Sequence, residues 1–144
     1  MPRYLVVAHQ TATSPELQRE VTRLLKDDAG AEFSILVPAS TQAGRALTVD
    51  ESAARDAAHE RAMEASALLE SLGANVARTA VGSSNPYDAI ADELRSHGGY
   101  DALVICTLPA GLSRWLKQDL QHKAEQFGLP VIHVTTRAPA ATHA

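Results

Sequence analysis

The sequence predicts an α/β fold: a doubly wound parallel β-sheet of five strands with helices on both faces. Short apolar runs recur along the chain, and their hydrophobicity is continuous rather than alternating, as is typical of strands that are covered on both faces. Amphipathic helical patterns separate these runs, and residues that start or stop helices flank the patterns. The resulting order, β-α-β-α-β-α-β-α-β, is the alternation that produces a parallel sheet between two layers of helices.

Four apolar runs and one weaker run predict the strands. In chain order they are Tyr4–Ala8, Phe33–Val37, the weaker Val76–Val81, Ala102–Cys106 and Val131–Val134. Their hydrophobicity is continuous rather than alternating, which favours a parallel sheet over an antiparallel one.

Four stripes of apolar residues, spaced three or four positions apart, predict the helices. The stripes are Leu17, Val21, Leu24 and Leu25; Ala58, Ala62, Ala65, Leu69 and Leu72; Ile90 and Leu94; and Leu112, Leu116, Leu120, Ala124 and Phe127.

The punctuation of the helices agrees with these stripes. Ser14-Pro15 and Asn85-Pro86 each indicate an N-cap followed by proline in the first turn, and Thr48 with Glu51 fits a capping box. A left-handed C-cap is expected at the glycine that follows each stripe. These glycines are Gly30, Gly73, Gly98 and Gly128.

Length and composition limit the class of protein. The 144 residues suit one domain, expected over residues 1–137, with residues 138–144 as a flexible tail. The net charge is −4, from 13 basic and 17 acidic residues, and without a long basic run this argues against nucleic acid as a partner. One cysteine excludes an internal disulfide, and the apolar run in MPRYLVVAHQ is too short for a signal peptide or a membrane span. A cytoplasmic protein is therefore expected.

From about Tyr4 to Val134 the chain resembles a universal stress protein domain. The first strand, YLVVAH, opens the chain as in that family. The run ALLESLGANVARTAVGSSNPYDAIADEL is similar to the family's long helix, Leu-Gly-Ala turn, third strand and following helix start. GGYDALVICT and GLPVIHV are similar to its fourth and last strands. The order and spacing of these stretches carry the resemblance.

The resemblance implies the strand order 3-2-1-4-5 of universal stress proteins and the wider adenine nucleotide alpha hydrolase-like group. Ligands in such sheets bind outside the carboxyl ends of the strands where the strand order reverses, here between strands one and four. His9 and Gln10, Val37 and Pro38, and residues 106–113 frame that crevice. By resemblance, its ligand is ATP or another adenine nucleotide.

The chain departs from the ATP-binding members of the family in two places. Those members carry Gly-x2-Gly-x9-Gly-Ser/Thr after strand four, where the glycines let backbone amides approach the phosphates. Here the region reads TLPAGLSRWLKQDLQHK, with a single glycine. They also usually end strand one with an aspartate, where this chain has His9 or Gln10. Weak or absent ATP binding is therefore expected.

What remains is a candidate anion pocket. A helix that starts at Ser113 would direct free amides and the positive end of its dipole into the crevice, and Arg114 would add charge. Thr107 offers a hydroxyl at the end of strand four. The candidate cofactor-binding residues are therefore His9, Val37, Thr107, Gly111, Ser113 and Arg114.

Simpler interpretations stand beside these assignments. The stretch from Thr107 to Arg114 also fits a plain loop with a helix cap, and His9 fits a histidine held by neighbouring backbone groups. Cys106 has no nameable base and fits a buried thiol. No catalytic residue and no metal site is predicted, because the histidines at 59, 97 and 122 lack metal-ligand spacing.

The leading functional hypothesis is a non-enzymatic stress-response or regulatory domain. One alternative is a homodimeric interaction module without a small ligand, and another is a nucleotide-dependent enzyme of the wider group. The proposed strand order leaves strand five at one edge of the sheet. A homodimer that pairs through this strand is therefore expected, and the family resemblance points the same way.

Overall fold

The computed structural model describes residues 2–39, 51–109 and 120–137, which form alternating strands and helices. The strands are β1 Arg3–Val7, β2 Glu32–Pro38, β3 Asn75–Gly82, β4 Ala102–Thr107 and β5 Val131–Thr135. The helices are α1 Pro15–Asp27, α2 Glu51–Ser71, α3 Pro86–Ser96 and α4 Leu120–Ala124, and α4 continues into a 3₁₀ turn, Glu125–Phe127. Each predicted strand is found, with its ends displaced by at most one residue.

The five strands form one parallel sheet in the order β3-β2-β1-β4-β5, which confirms the predicted fold class and topology. The central strand β1 pairs with β2 on one side and with β4 on the other, so the strand order reverses there. The carboxyl ends of β1 and β4 therefore lie side by side, at the position where ligands bind in doubly wound sheets.

Each face of the sheet has its own hydrophobic core. Alternate residues of each strand point to opposite faces, so Val6 and Val104 face α1 and α2 while Leu5 and Leu103 face α3 and α4. The helical residues of the first core are Leu17, Val21, Leu24, Ala58, Ala62, Ala65 and Leu69. Those of the second core are Ala89, Ile90, Leu120 and Ala124.

The helix ends confirm both predicted N-caps and two of the four predicted C-cap glycines, and correct the other two. The Ser14 hydroxyl accepts from the Leu17 amide, and the Asn85 side chain accepts from the Asp88 amide. Of the glycines expected as left-handed C-caps, Gly73 and Gly128 have positive φ. The C-cap of α1 is Asp28 in an extended conformation rather than Gly30, and α3, which ends at Ser96, is followed by a left-handed Gly99 with φ +96° rather than by a left-handed Gly98. The proposed capping box cannot be compared, because Thr48 lies outside the described residues.

A bulge in β3 turns one arginine toward α3. Phe33 pairs with Val76, but the next β2 residue, Ser34, pairs with Arg78, so Ala77 is left without a partner. The extra residue inverts the alternation of side chains beyond it. Arg78 therefore points to the face covered by α3, where it meets Glu93.

Glu93 is the centre of a buried polar cluster beneath α3. Its carboxylate accepts two bonds from Arg78, at 2.8 and 3.2 Å, and one from the Tyr100 hydroxyl at 3.0 Å. Only 5% of Glu93 is exposed. Burial alone would raise the pKa of Glu93, but the bonds from Arg78 and Tyr100 outweigh it and lower the pKa below its usual value of 4.5.

We expect Glu93→Gln to reduce the free energy of unfolding by about 2 kcal/mol at pH 7, because it removes the negative charge to which Arg78 and Tyr100 donate hydrogen bonds. Since the folded-state pKa of Glu93 is depressed, its contribution is present above the unfolded pKa and is lost as the pH falls through the folded value. Urea unfolding from pH 7 to pH 3 should therefore show the variant and the parent converging below about pH 4. The matched control is the exposed Glu70→Gln, and equal effects of both substitutions at pH 7 would refute the role of Glu93.

Candidate functional site

The candidate site is the edge of the sheet where β1 and β4 end. Two hydrogen bonds form successive turns after β1, from the Ala12 amide to the His9 carbonyl at 3.1 Å and from the Ser14 amide to the Thr11 carbonyl at 3.0 Å. These turns lead directly into the N-cap of α1. They hold the β1–α1 connection close to the end of β4.

Thr11 joins the two strand ends. Its hydroxyl donates to the Cys106 carbonyl at 2.9 Å, and the residue is 4% exposed. The Cys106 thiol lies 3.8 Å from the Ser14 hydroxyl and 3.9 Å from the Thr11 carbonyl oxygen. The floor of the crevice is therefore hydrogen-bonded within the protein.

Thr107, a candidate ligand contact, is bonded to β5. Its hydroxyl lies 2.8 Å from His133 Nε2, and its carbonyl accepts from both the amide and the hydroxyl of Thr136, at 3.0 and 3.1 Å. Burial lowers the pKa of His133, so the neutral ring is favoured and either partner can be the donor, depending on the tautomer. The Thr107 side chain therefore has a structural partner within the fold.

His9, the candidate at the end of β1, is in a different situation. The residue is 8% exposed, and neither ring nitrogen has a hydrogen-bond partner among the residues that the structure describes. Burial, and secondarily the charge of Arg61, lower the pKa of His9 below 6.5, so the ring is neutral near pH 7. The simpler interpretation, in which neighbouring backbone groups hold the ring, would require hydrogen bonds to the ring nitrogens. The described residues make no such bonds.

The other candidate residues separate into two groups. Val37 is fully buried and packs in the core under α1 and α2. Gly111, Ser113 and Arg114 lie outside the described residues, as does the proposed helix start at Ser113. The described part of the predicted site therefore consists of His9, Val37 and Thr107.

The described groups at this edge offer little reactive chemistry. Burial raises the pKa of the Cys106 thiol, so the thiol rather than the nucleophilic thiolate is favoured. Within residues 2–39, 51–109 and 120–137, no cluster of three or more His, Cys, Asp or Glu side chains could hold a metal ion. The thiol is better suited to packing than to catalysis.

Two contacts at this site were missed by reasoning from the sequence. Thr11 lies only two residues after His9, and a threonine in the turn after β1 could have been weighed as a partner for a strand end. The bond between Thr107 and His133 joins residues 26 positions apart and depends on the parallel register of β4 and β5. Without that register, the sequence offers no signal for it.

Comparisons with solved structures identify the fold as that of the universal stress proteins. A universal stress protein from Archaeoglobus fulgidus superimposes with a TM-score of 0.61 at 20% identity, over 93% of each chain. A protein of the universal stress protein family from Burkholderia pseudomallei gives a TM-score of 0.61 at 15% identity, over 91% of this chain and 93% of that one. The Archaeoglobus fulgidus universal stress protein in complex with dAMP gives 0.57 at 19% identity, over 93% of this chain and 97% of that one.

No family model matches the sequence, and no curated protein matches it significantly. Among the described helices, none combines the length and the apolar character that a membrane span requires.

We expect Thr107→Val to reduce the free energy of unfolding by about 1 kcal/mol, because it keeps the shape of the side chain and leaves His133 Nε2 without a partner. Thr107→Ser, which keeps the hydroxyl, should retain most of the stability. Urea unfolding measures both, with the exposed Thr22→Val on α1 as the control. If Thr107→Val were as stable as the parent, the hydroxyl would not be needed by His133 and would be available to a ligand.

Proposed function

We propose that this protein is a non-enzymatic regulatory domain of the universal stress protein type, which acts in the cytoplasm and holds an adenine nucleotide weakly or not at all. The observation that carries the proposal is the shared fold, which extends over 91–93% of the chain in three comparisons. Fold alone does not define function, so the proposal also rests on the groups at the crevice.

The hydrogen bonding and protonation of the side chains at the crevice favour a regulatory role over an enzymatic one. The Thr11 and Thr107 hydroxyls bond within the protein, and the Cys106 thiol is buried with a raised pKa. A nucleophile needs a nearby base and a lowered pKa, which the described residues do not supply for Cys106.

An adenine nucleotide is the ligand that the comparisons favour, because one solved structure of this fold is a complex with dAMP. Two features weaken such binding here. The stretch TLPAGLSRWLKQDLQHK has one glycine where a phosphate cradle needs several. At the end of β1, His9 is neutral near pH 7 and its ring nitrogens are shielded from solvent, so it does not replace a carboxylate that accepts from a ribose or adenine group.

The homodimer that we propose uses the outer edge of β5. The Leu103 amide donates to Pro130, and the Thr136 amide donates to Thr107. In a parallel ladder with this register, the amides of residues 132, 134 and 136 point toward β4, and those of residues 131, 133 and 135 point outward. The outward groups are available to an antiparallel copy of the same strand.

The remaining features of the sheet favour β5 over the opposite edge. The bulge at Ala77 makes β3 a poorer template, because a bulge twists an edge away from a partner strand. The chain after β5 does not fold back along the outer edge as far as Arg137. Instead, the Thr136 amide bonds to Thr107 and the Arg137 amide donates to Glu16 on α1 at 3.2 Å.

If the glycine cradle is lost, ATP should bind no more tightly than AMP, because the additional phosphates find no backbone amides. Titration calorimetry with Mg-ATP and with AMP should give dissociation constants above about 1 μM and within tenfold of each other. A constant at or below about 1 μM for Mg-ATP, or a clear preference for ATP, would contradict the proposal of weak nucleotide binding. No binding of either nucleotide by a stable dimer would favour the alternative, an interaction module without a small ligand.

For the homodimer, the discriminating change is His133→Pro. It removes an outward-pointing amide while leaving the amides that bond to β4 in place, so light scattering should report a folded monomer where the parent is a dimer. His133→Val is the matched control, because it also loses the bond to Thr107 but keeps the amide, and it should remain dimeric. A parent that is monomeric at tens of micromolar would refute the dimer, and a dimeric His133→Pro variant would place the interface elsewhere.

A further inference from the structure

His9 is the buried polar side chain whose environment the fold and the proposed function leave unexplained. Buried polar groups normally have hydrogen-bond partners, and an unsatisfied one is costly. Both ring nitrogens of His9 are shielded from solvent, and no described residue bonds to either. In such a position a neutral imidazole costs less free energy than a charged one, because burying a charge without an acceptor costs far more than burying a neutral polar group.

Small, buried apolar residues lie on both sides of His9 in the chain. Its neighbours Ala8 and Ala12 belong to the same core cluster as Ala58 and Ala62 of α2, and all four are at most 1% exposed. These cluster residues carry only methyl side chains, which offer no acceptor for an imidazolium proton.

The charged groups of the neighbouring elements do not compensate. Arg61 of α2 is the described charged side chain that acts on His9, and its sign opposes protonation. Arg61 has Glu64 at 4.0 Å on its own helix. Elsewhere at this edge, Glu16 of α1 bonds to the Arg137 amide and β4 presents the Cys106 thiol. At the end of β2, Val37 and Ala39 are apolar and buried.

We propose that His9 is an acid-sensitive latch: protonation places a charge, opposed by that of Arg61, in a buried position without a described acceptor, and this loosens the first core at the end of β1. The latch lies at the same edge of the sheet as the candidate ligand crevice. Mild acid therefore opens this edge before it unfolds the sheet, and the domain acquires a response to pH that is independent of any nucleotide.

The direction of the pH dependence follows from the environment of the ring. Burial and Arg61 lower the pKa of His9 below 6.5, so in acid the unfolded chain binds a proton that the folded chain resists. The stability that depends on His9 is present above about pH 6.5 and is lost as the pH falls below it. Over the interval between the two pKa values, the unfolding equilibrium constant rises by up to about tenfold per pH unit.

The test compares urea unfolding of the parent, His9→Phe and Arg61→Gln at pH 7.5 and at pH 5.5. His9→Phe keeps a ring of similar shape without a titrating group, so it should lose much less stability than the parent between the two pH values. Arg61→Gln removes the opposing cation, so its loss of stability between the two pH values should lie between those of the parent and of His9→Phe. The control is His59→Asn, an exposed histidine on the same helix, which should behave like the parent. Equal losses in the parent and in His9→Phe would overturn the proposal.

A second measurement keeps the proposal testable if His9→Phe does not fold. Amide hydrogen exchange of the parent, corrected for its intrinsic pH dependence, should show opening of α2 and the end of β1 several times more frequent at pH 5.5 than at pH 7.5, up to about tenfold, with α3 unchanged. An NMR titration in which the His9 ring protonates at or above pH 6.5 in the folded protein would refute the latch. So would an acid response spread evenly over α2 and α3.

Discussion

The constraint on which the rest of the structure depends is the position of β1 between two parallel neighbours. A strand paired on both sides in a parallel sheet has apolar side chains on both faces, and crossover connections must cover them. Leu5 and Val6, adjacent in sequence, accordingly enter different cores. The first two crossovers cover one face with α1 and α2, while α3 and α4 lie on the other. The crevice between the ends of β1 and β4 is a geometric consequence of this arrangement, whether or not a ligand occupies it.

Holding α3 on its face requires one departure from regular strand geometry. Without the bulge at Ala77, Arg78 would point to the face covered by α2, and the carboxylate of Glu93 would lack its arginine partner. At the other end of β3, a methyl group added at Gly82 would lie 2.5 Å from the Ala89 Cβ, so the absence of a side chain there lets α3 approach. A polar contact and a close approach thus fix the same helix at two positions. Tyr100 connects this cluster to the beginning of β1, because the Arg3 guanidinium lies 5.1 Å above its ring.

How far the sequence reveals the structure depends on how local each signal is. Apolar runs, N-caps and prolines act within a few residues, and the apolar runs predict all five strands with ends displaced by at most one residue. The position of Gly99 rather than Gly98 at a left-handed turn lies within the usual error at a helix end. The bulge at Ala77 and the partner of Glu93 depend on pairing between distant segments, which one sequence does not display. For the same reason, the sequence located His9 and Thr107 at neighbouring strand ends but could not show that only Thr107 finds a partner among the described residues.

The ends of β1 and β4 differ in chemistry, because Thr107 has a hydrogen-bond partner in the protein and His9 has none among the described residues. Thr11 and Thr107 satisfy their hydroxyls with groups of the protein itself, so the end of β4 is stable without a ligand. The end of β1 places a titratable ring in a buried position, where the free-energy cost of burial depends on whether the ring is charged. A site built for a phosphate would favour positive charge, whereas a neighbouring arginine and the lack of a described acceptor make positive charge on His9 unfavourable. The residue at the end of β1 is therefore better suited to responding to protons than to holding an anion, and the two functions need not share the same residues of the crevice.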